Sequence, residues 1–232
     1  MRLYLTMLTV LFLQGLVKLL VIKIKHHNRS FKNIILGLES IDVLEANGSA
    51  LSIVDWAKNT GLDREQKRAF EIITASFVMT FIRDAEASGV GSRHRLLEEK
   101  KKLCILLQEC DQSSNQRRNN DQLIMFLHGP GGCGKTTVID LVMEYAKEYC
   151  SYMEDFQFTK RTITVTAMTG VAATLLLGET AHSAMFLNQK KPLRPEQIKI
   201  WSETRLVIID EISFASASVF KKIHERLQVL KQ

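Results

Sequence analysis

The chain has 232 residues, 46% hydrophobic and 24% charged, which supports a packed core and suits one α/β domain with extensions. A net charge of +6 and an isoelectric point near 9.1 suit a polyanionic partner without identifying one. Four cysteines (Cys104, Cys110, Cys133, Cys150) lack C-x-x-C spacing and have no zinc-type His/Cys cluster beside them, which argues against a zinc module and for a reducing compartment.

Residues 3–22 are largely apolar and about long enough to cross a bilayer, though broken by Thr6, Thr9, Gln14, Gly15 and Lys18. Arg2 precedes the run, as in a signal peptide, but no small-residue cleavage site follows, and Arg and Ser are too sparse for a transit peptide. Three readings stand: a membrane anchor, a helix packing on a missing partner domain, or a remnant of an imperfect chain start. The last two are preferred over the membrane, and a helical N-terminal extension over residues 1–61 is expected. The basic stretch 23–32 reads as a solvated flank, and Gly48 and Gly61 punctuate the mixed segment 33–61.

A long helix is predicted over residues 64–87. Ala69, Phe70, Ile72, Ile73, Phe77, Phe81 and Ile82 recur near a 3.6-residue spacing, and Ser88-Gly89-Val90-Gly91 ends the pattern. Asp63 is a good N-cap, with Gln66 three residues on, as in a capping box. The Gln66 amide also both donates and accepts, which matches the N6/N7 edge of adenine. The local sequence does not separate these two uses. Residues 92–122 are charge-rich, helical in the first part and loop in the second.

The most informative stretch comes next. Gly129-Pro130-Gly131-Gly132-Cys133-Gly134-Lys135-Thr136, followed by Thr137, matches the phosphate-binding P-loop G-x-x-x-x-G-K-[ST]. Glycines let consecutive N–H groups converge on a phosphate, and the helix that follows offers its unsatisfied amides to the same anion. Lys135 is expected to reach the β- and γ-phosphates of ATP, and Thr136 to offer a hydroxyl to Mg²⁺. The context fits: Leu123-Ile124-Met125-Phe126-Leu127 reads as a buried strand, while Val138, Leu141, Val142, Tyr145, Ala146 and Tyr149 recur at helical spacing. Cys133 sits where a thiolate would be stabilised, but a position that merely tolerates a small residue is the preferred reading.

Residues 161–166 alternate and are rich in β-branched residues, so they read as a strand. Ala167-Met168-Thr169-Gly170-Val171-Ala172-Ala173 then turns into a helix. Thr169 and Gly170 could hold phosphates of a nucleic acid strand, although an ordinary strand–turn–helix is the preferred reading of the stretch in isolation. Thr180-Ala181-His182-Ser183 precedes Lys190-Lys191; His182 is either a packing or capping residue or a DNA contact. Finally, Leu206-Val207-Ile208-Ile209 reads as a buried strand ending in Asp210-Glu211, a Walker B pattern. Asp210 is expected to hold Mg²⁺, and Glu211 to orient or deprotonate the attacking water.

Together, residues 62–70, 129–137, 166–173, 180–183 and 207–213 resemble the petite-integration-frequency (Pif) family of superfamily-one DNA helicases. Their order fits that family's adenine-reading, nucleotide-binding, strand-binding and metal-binding motifs. The resemblance covers residues 62–232 and implies a first RecA-like motor domain: an α/β P-loop NTPase with a parallel sheet flanked by helices. It further implies ATP-driven, 5′-to-3′ travel along single-stranded DNA, roles in recombination, repair and telomere maintenance, and residence in nucleus or mitochondrion.

There are departures. Met168 stands where such helicases usually carry proline, Phe214 where methionine is usual, and the insert over 88–122 is long. The sequence stops at Gln232, soon after the acidic pair, whereas such a motor needs a second RecA-like domain. That domain's arginine is worth about 10³–10⁵ in rate, and Arg226 has no warrant for the role. The expectation is therefore weak Mg-ATP binding and slow hydrolysis by these residues alone. The rivals are a non-catalytic nucleotide- or DNA-binding fragment and a different P-loop enzyme, such as a small-molecule kinase. Gln66 and the Asp210-Glu211 pair argue against the kinase.

Overall fold

The computed structural model describes residues 5–12, 17–23, 52–89, 93–110, 122–153 and 156–230. The chain divides into two compact units that interleave along the sequence. One comprises residues 1–23, 118–131 and 158–232, and the other residues 24–117 and 132–157.

The first unit is built on a six-stranded sheet. Its strands are β1 (Leu5–Phe12), β2 (Val17–Lys23), β3 (Gln122–Pro130), β4 (Ile163–Ala167), β5 (Glu179–Thr180) and β6 (Leu206–Asp210), in the spatial order β2-β3-β1-β6-β4-β5. The pairings β2–β3, β4–β6 and β4–β5 are parallel. Among the described strands, only β1 runs against its neighbours, β3 and β6, so the sheet is mostly parallel. Buried strands of such sheets read as continuous apolar runs. β6 conforms: Leu206, Val207, Ile208 and Ile209 are all fully buried.

Among the described residues of this unit are the α-helices α5 (Gly170–Leu175), α6 (Ala181–Ala184), α7 (Pro195–Trp201) and α8 (Ala217–Leu230). Val207 and Ile209 of β6 pack in one cluster with Ala184 and Met185, Trp201 of α7, and Ile223 and Leu227 of α8. Trp201 is fully buried, and its indole N–H donates to the Ala184 carbonyl at 3.2 Å, so its polar atom is satisfied inside the core. In β4 the threonines face inward. Thr166 donates its hydroxyl to the Ile208 carbonyl at 2.9 Å, which makes its burial tolerable.

The second unit is helical: α1 (Ile53–Asn59), α2 (Arg64–Ser88), α3 (Arg93–Cys110) and α4 (Lys135–Ser151). α2 begins one residue after Asp63, whose carboxylate accepts the Glu65 and Gln66 amides at 2.9 Å each. It ends at Gly89, in the left-handed region at φ 67°, where glycine carries no Cβ penalty. Its apolar face carries an aromatic cluster. Trp56 stacks on Phe70 at 5.5 Å, and Tyr145 of α4 meets both rings edge-on at 5.7 and 6.1 Å. Phe77, Phe81, Tyr149 and Phe156 continue the cluster. Burial holds the Tyr145 phenol well above its ordinary range and pushes Tyr149 up to about 12.

The expected helix at the apolar start is corrected: residues 5–12 and 17–23 are strands. A short continuous apolar run suits a buried strand as well as a helix, and periodicity alone does not separate them. The decisive fact is non-local: β1 finds partners on both edges, which satisfies its N–H and C=O groups. Among the described residues, no helix is long and apolar enough to cross a membrane. The basic stretch beyond Lys23, residues 33–51 and the polar tract 111–121 lie outside the described residues. Helix α3 occupies the first part of the charge-rich insert.

Candidate active site

The phosphate loop starts from β3. Gly129, Pro130 and Gly131 belong to the sheet unit; Gly132, Cys133, Gly134, Lys135, Thr136 and Thr137 belong to the helical unit. Gly132 and Gly134 adopt φ of 73° and 81°, the left-handed region that disfavours any other residue. Gly134, the N-cap of α4, offers no side-chain acceptor to the first amides of that helix. Gly131, Gly132 and Thr136 are exposed, and a Cβ on Gly131 would meet nothing within 4 Å. An open, glycine-lined turn leading into a helix N-terminus is the donor set a nucleotide phosphate needs.

Gln66 secures the turn within the helical unit. Its Nε2 donates to the Cys133 carbonyl at 3.0 Å, while its Oε1 accepts the Asp63 amide at 3.0 Å. A Cβ on Gly134 would collide with Gln66 Nε2. The capping box is therefore present, and the same amide reaches 67 residues along the chain to hold the phosphate loop. Local sequence offered no sign of that second contact. Lys135 Nζ lies 3.4 Å from Cys133 Sγ, and the thiol is buried.

The acidic pair follows β6. Asp210 accepts the Glu211 amide through Oδ1 at 2.8 Å. Glu211 is non-glycine yet sits at φ 54°, in the left-handed region, an outlier of the kind that clusters at functional sites. The register through β1 places Thr9 opposite both Phe126 and Ile209. The C-terminal ends of β3 and β6 thus leave the same edge of the sheet, two strand spacings apart, about 10 Å. Gly129, Pro130 and the Asp210-Glu211 pair share that edge.

The residues read as strand-binding occupy the same edge. Parallel pairing sets Ala167 beside both Asp210 and Thr180. Thr169 and His182 each lie two residues beyond those paired positions. The Met168 amide donates to the Asp210 carbonyl at 3.0 Å, which extends the β4–β6 alignment past the strand end. Thr169 then caps α5, accepting the Ala172 amide at 3.3 Å, and donates its hydroxyl to Glu211 Oε2 at 2.5 Å. Gly170 opens α5 and is exposed. His182 is half-buried in α6, whose cap is Thr180. The Thr169–Glu211 contact spans 42 residues and follows from register alone, so sequence reasoning missed it.

The uncharacterized protein 030L of Invertebrate iridescent virus 6 is 28% identical over 119 residues, covering 46% of this chain and 21% of that protein. The ATP-dependent DNA helicase PIF1 of Emericella nidulans is 26% identical over 117 residues, covering 46% of this chain and 15% of that protein. The chain thus spans about a fifth or less of these curated relatives. No solved structure matches. The family model described as an AAA domain matches residues 111–231, just over half of the chain, and takes in the phosphate loop, the turn at Thr169 and the acidic pair. By that match, the chain belongs to the AAA domain family.

Proposed function

We propose that the chain is the ATP-hydrolysing motor part of a Pif-type DNA helicase, with residues 62–232 as the first RecA-like domain and β1 and β2 as additions to its sheet. In this reading Gly129–Thr137 wrap the triphosphate of ATP, Lys135 draws charge from the β- and γ-phosphates, and Thr136 and Asp210 hold Mg²⁺. Glu211 orients the attacking water and takes its proton. Gln66 meets adenine with whichever amide hydrogen the Cys133 carbonyl leaves available. Thr169, Gly170 and His182 contact single-stranded DNA, with travel 5′ to 3′. Magnesium held by Thr136 and Asp210 would supply charge neutralisation at the phosphates. A second RecA-like domain would supply the arginine that raises turnover.

One observation carries the reading: the end of the phosphate-loop strand, the acidic pair and the Thr169 turn leave one edge of one sheet. Ligands of open α/β sheets bind outside the carboxyl ends of the strands. The helicase PIF1 match supports the choice of DNA motor among P-loop proteins. The test is phosphate release from Mg-ATP by the purified chain with and without oligothymidylate. Slow release, stimulated by the single strand and preferring ATP to GTP, is expected. ATP binding with no release under either condition would replace this reading with a non-catalytic binding fragment.

A further inference from the structure

The strands that carry the phosphate loop and the acidic pair do not pair with each other. Among the described strands, β3 pairs with β2 and β1, and β6 with β1 and β4, so β1 alone joins the two. Its register sets their relative height as well as their separation. Val10 lies opposite Met125 on one side and Ile208 on the other, and Leu11 opposite Ile124 and Val207. Toward the ligand edge, Leu5 and Thr6 continue along Pro130 and Gly129, past the last β1–β6 pair at Thr9 and Ile209. β1 also lies against the 3₁₀ turn Ile212–Phe214 that follows the acidic pair. It therefore borders both halves of the site.

We infer that β1 is a working part of the ATP site, a spacer strand that fixes where the acidic pair stands relative to the phosphate loop. The inference rests on the reading of Gly129–Thr137 and Asp210-Glu211 as one Mg-ATP site, and adds to it an element far upstream of both. Taking β1 out of the sheet has two outcomes. If β3 and β6 keep their places, each faces the gap with a row of unpaired N–H and C=O groups, which a buried sheet does not tolerate. If they close up and pair, the acidic pair comes nearer the loop by one strand spacing, about 5 Å. A slip of β1 by one residue against either neighbour instead shifts the pair along the strand by about 3.3 Å. A misplacement of only about 1 Å can cost about 10²-fold in rate. Hydrolysis is therefore lost in each case. The phosphate loop is made of contiguous residues, so its hold on the nucleotide survives.

Val10→Pro in the full chain puts this to the test. Val10 takes part in both ladders, and proline there removes an amide donor from a central strand, where it is poorly accommodated. Equilibrium binding of a fluorescent ATP analogue should stay near the wild-type value, while single-turnover phosphate release falls at least ~100-fold. That split between binding and turnover is the signature of a positioning role. A second measurement needs no variant: amide hydrogen exchange in the wild-type chain. Amides of Leu5–Phe12 should exchange as slowly as those of Leu206–Asp210, because a strand paired on both sides opens only together with its neighbours. Amides of β1 that exchange freely while those of β6 stay protected overturn the inference. So does a Val10→Pro chain that releases phosphate at the wild-type rate, and the ATPase reading then stands. If the wild-type chain releases no phosphate at all, the ATPase reading falls and this inference falls with it.

Discussion

Gly134→Ala tests how the phosphate loop is held. The new Cβ would meet Gln66 Nε2, and the backbone at φ 81° is unfavourable for any L side chain. Two costs follow. Left-handed backbone costs a non-glycine residue about 1–2 kcal/mol. The clash is relieved if Gln66 swings away, which gives up its bonds to the Asp63 amide and the Cys133 carbonyl, each worth about 0.5–1.5 kcal/mol. The sum is about 2–5 kcal/mol. In a Gln66→Ala background those two bonds are already gone and the clash disappears, leaving only the backbone cost of about 1–2 kcal/mol. The double-mutant cycle should therefore show a coupling of about 1–3 kcal/mol, read from urea unfolding followed by circular dichroism. Equal cost of Gly134→Ala in both backgrounds would refute the proposed hold of Gln66 on the loop.

Other outcomes follow from the packing. Phe70→Ala removes the ring on which Trp56 stacks and should cost about 3–5 kcal/mol in urea unfolding; a cost below about 1 kcal/mol would mean the aromatic cluster is not a core. Tyr149 is held protonated by burial up to about pH 12, so its folded pKa is raised above the unfolded value. Its contribution is full below about pH 10 and is lost as pH rises through 12. Tyr149→Phe should shift alkaline unfolding, followed by circular dichroism, to higher pH, and an unmoved transition would contradict the burial argument.

Much of this was legible because its causes are local. The helix from Arg64 announces itself through Asp63, Gln66 and a regular apolar stripe, and it ends at the glycine that a left-handed cap favours. The phosphate loop, its strand and its helix are contiguous, so their order is written in the chain. The Asp210-Glu211 pair follows an apolar run that is buried as expected. What escaped was long-range. The apolar start, expected to be helical, is strand because pairing with β3 and β6, from partners more than 100 residues away, decides its conformation. Likewise, Gln66 reaching Cys133 and Thr169 reaching Glu211 depend on helix packing and strand register, which no local pattern encodes.

The central claim is that the glycine loop and the acidic pair serve one Mg-ATP, the loop to bind it and Glu211 to activate water. Comparing ATP binding with single-turnover hydrolysis for Glu211→Gln tests this most directly. The account predicts ATP affinity close to wild type and phosphate release slowed at least ~100-fold, the scale of a lost general base, while Lys135→Ala loses ATP binding itself. Wild-type hydrolysis by Glu211→Gln would contradict it.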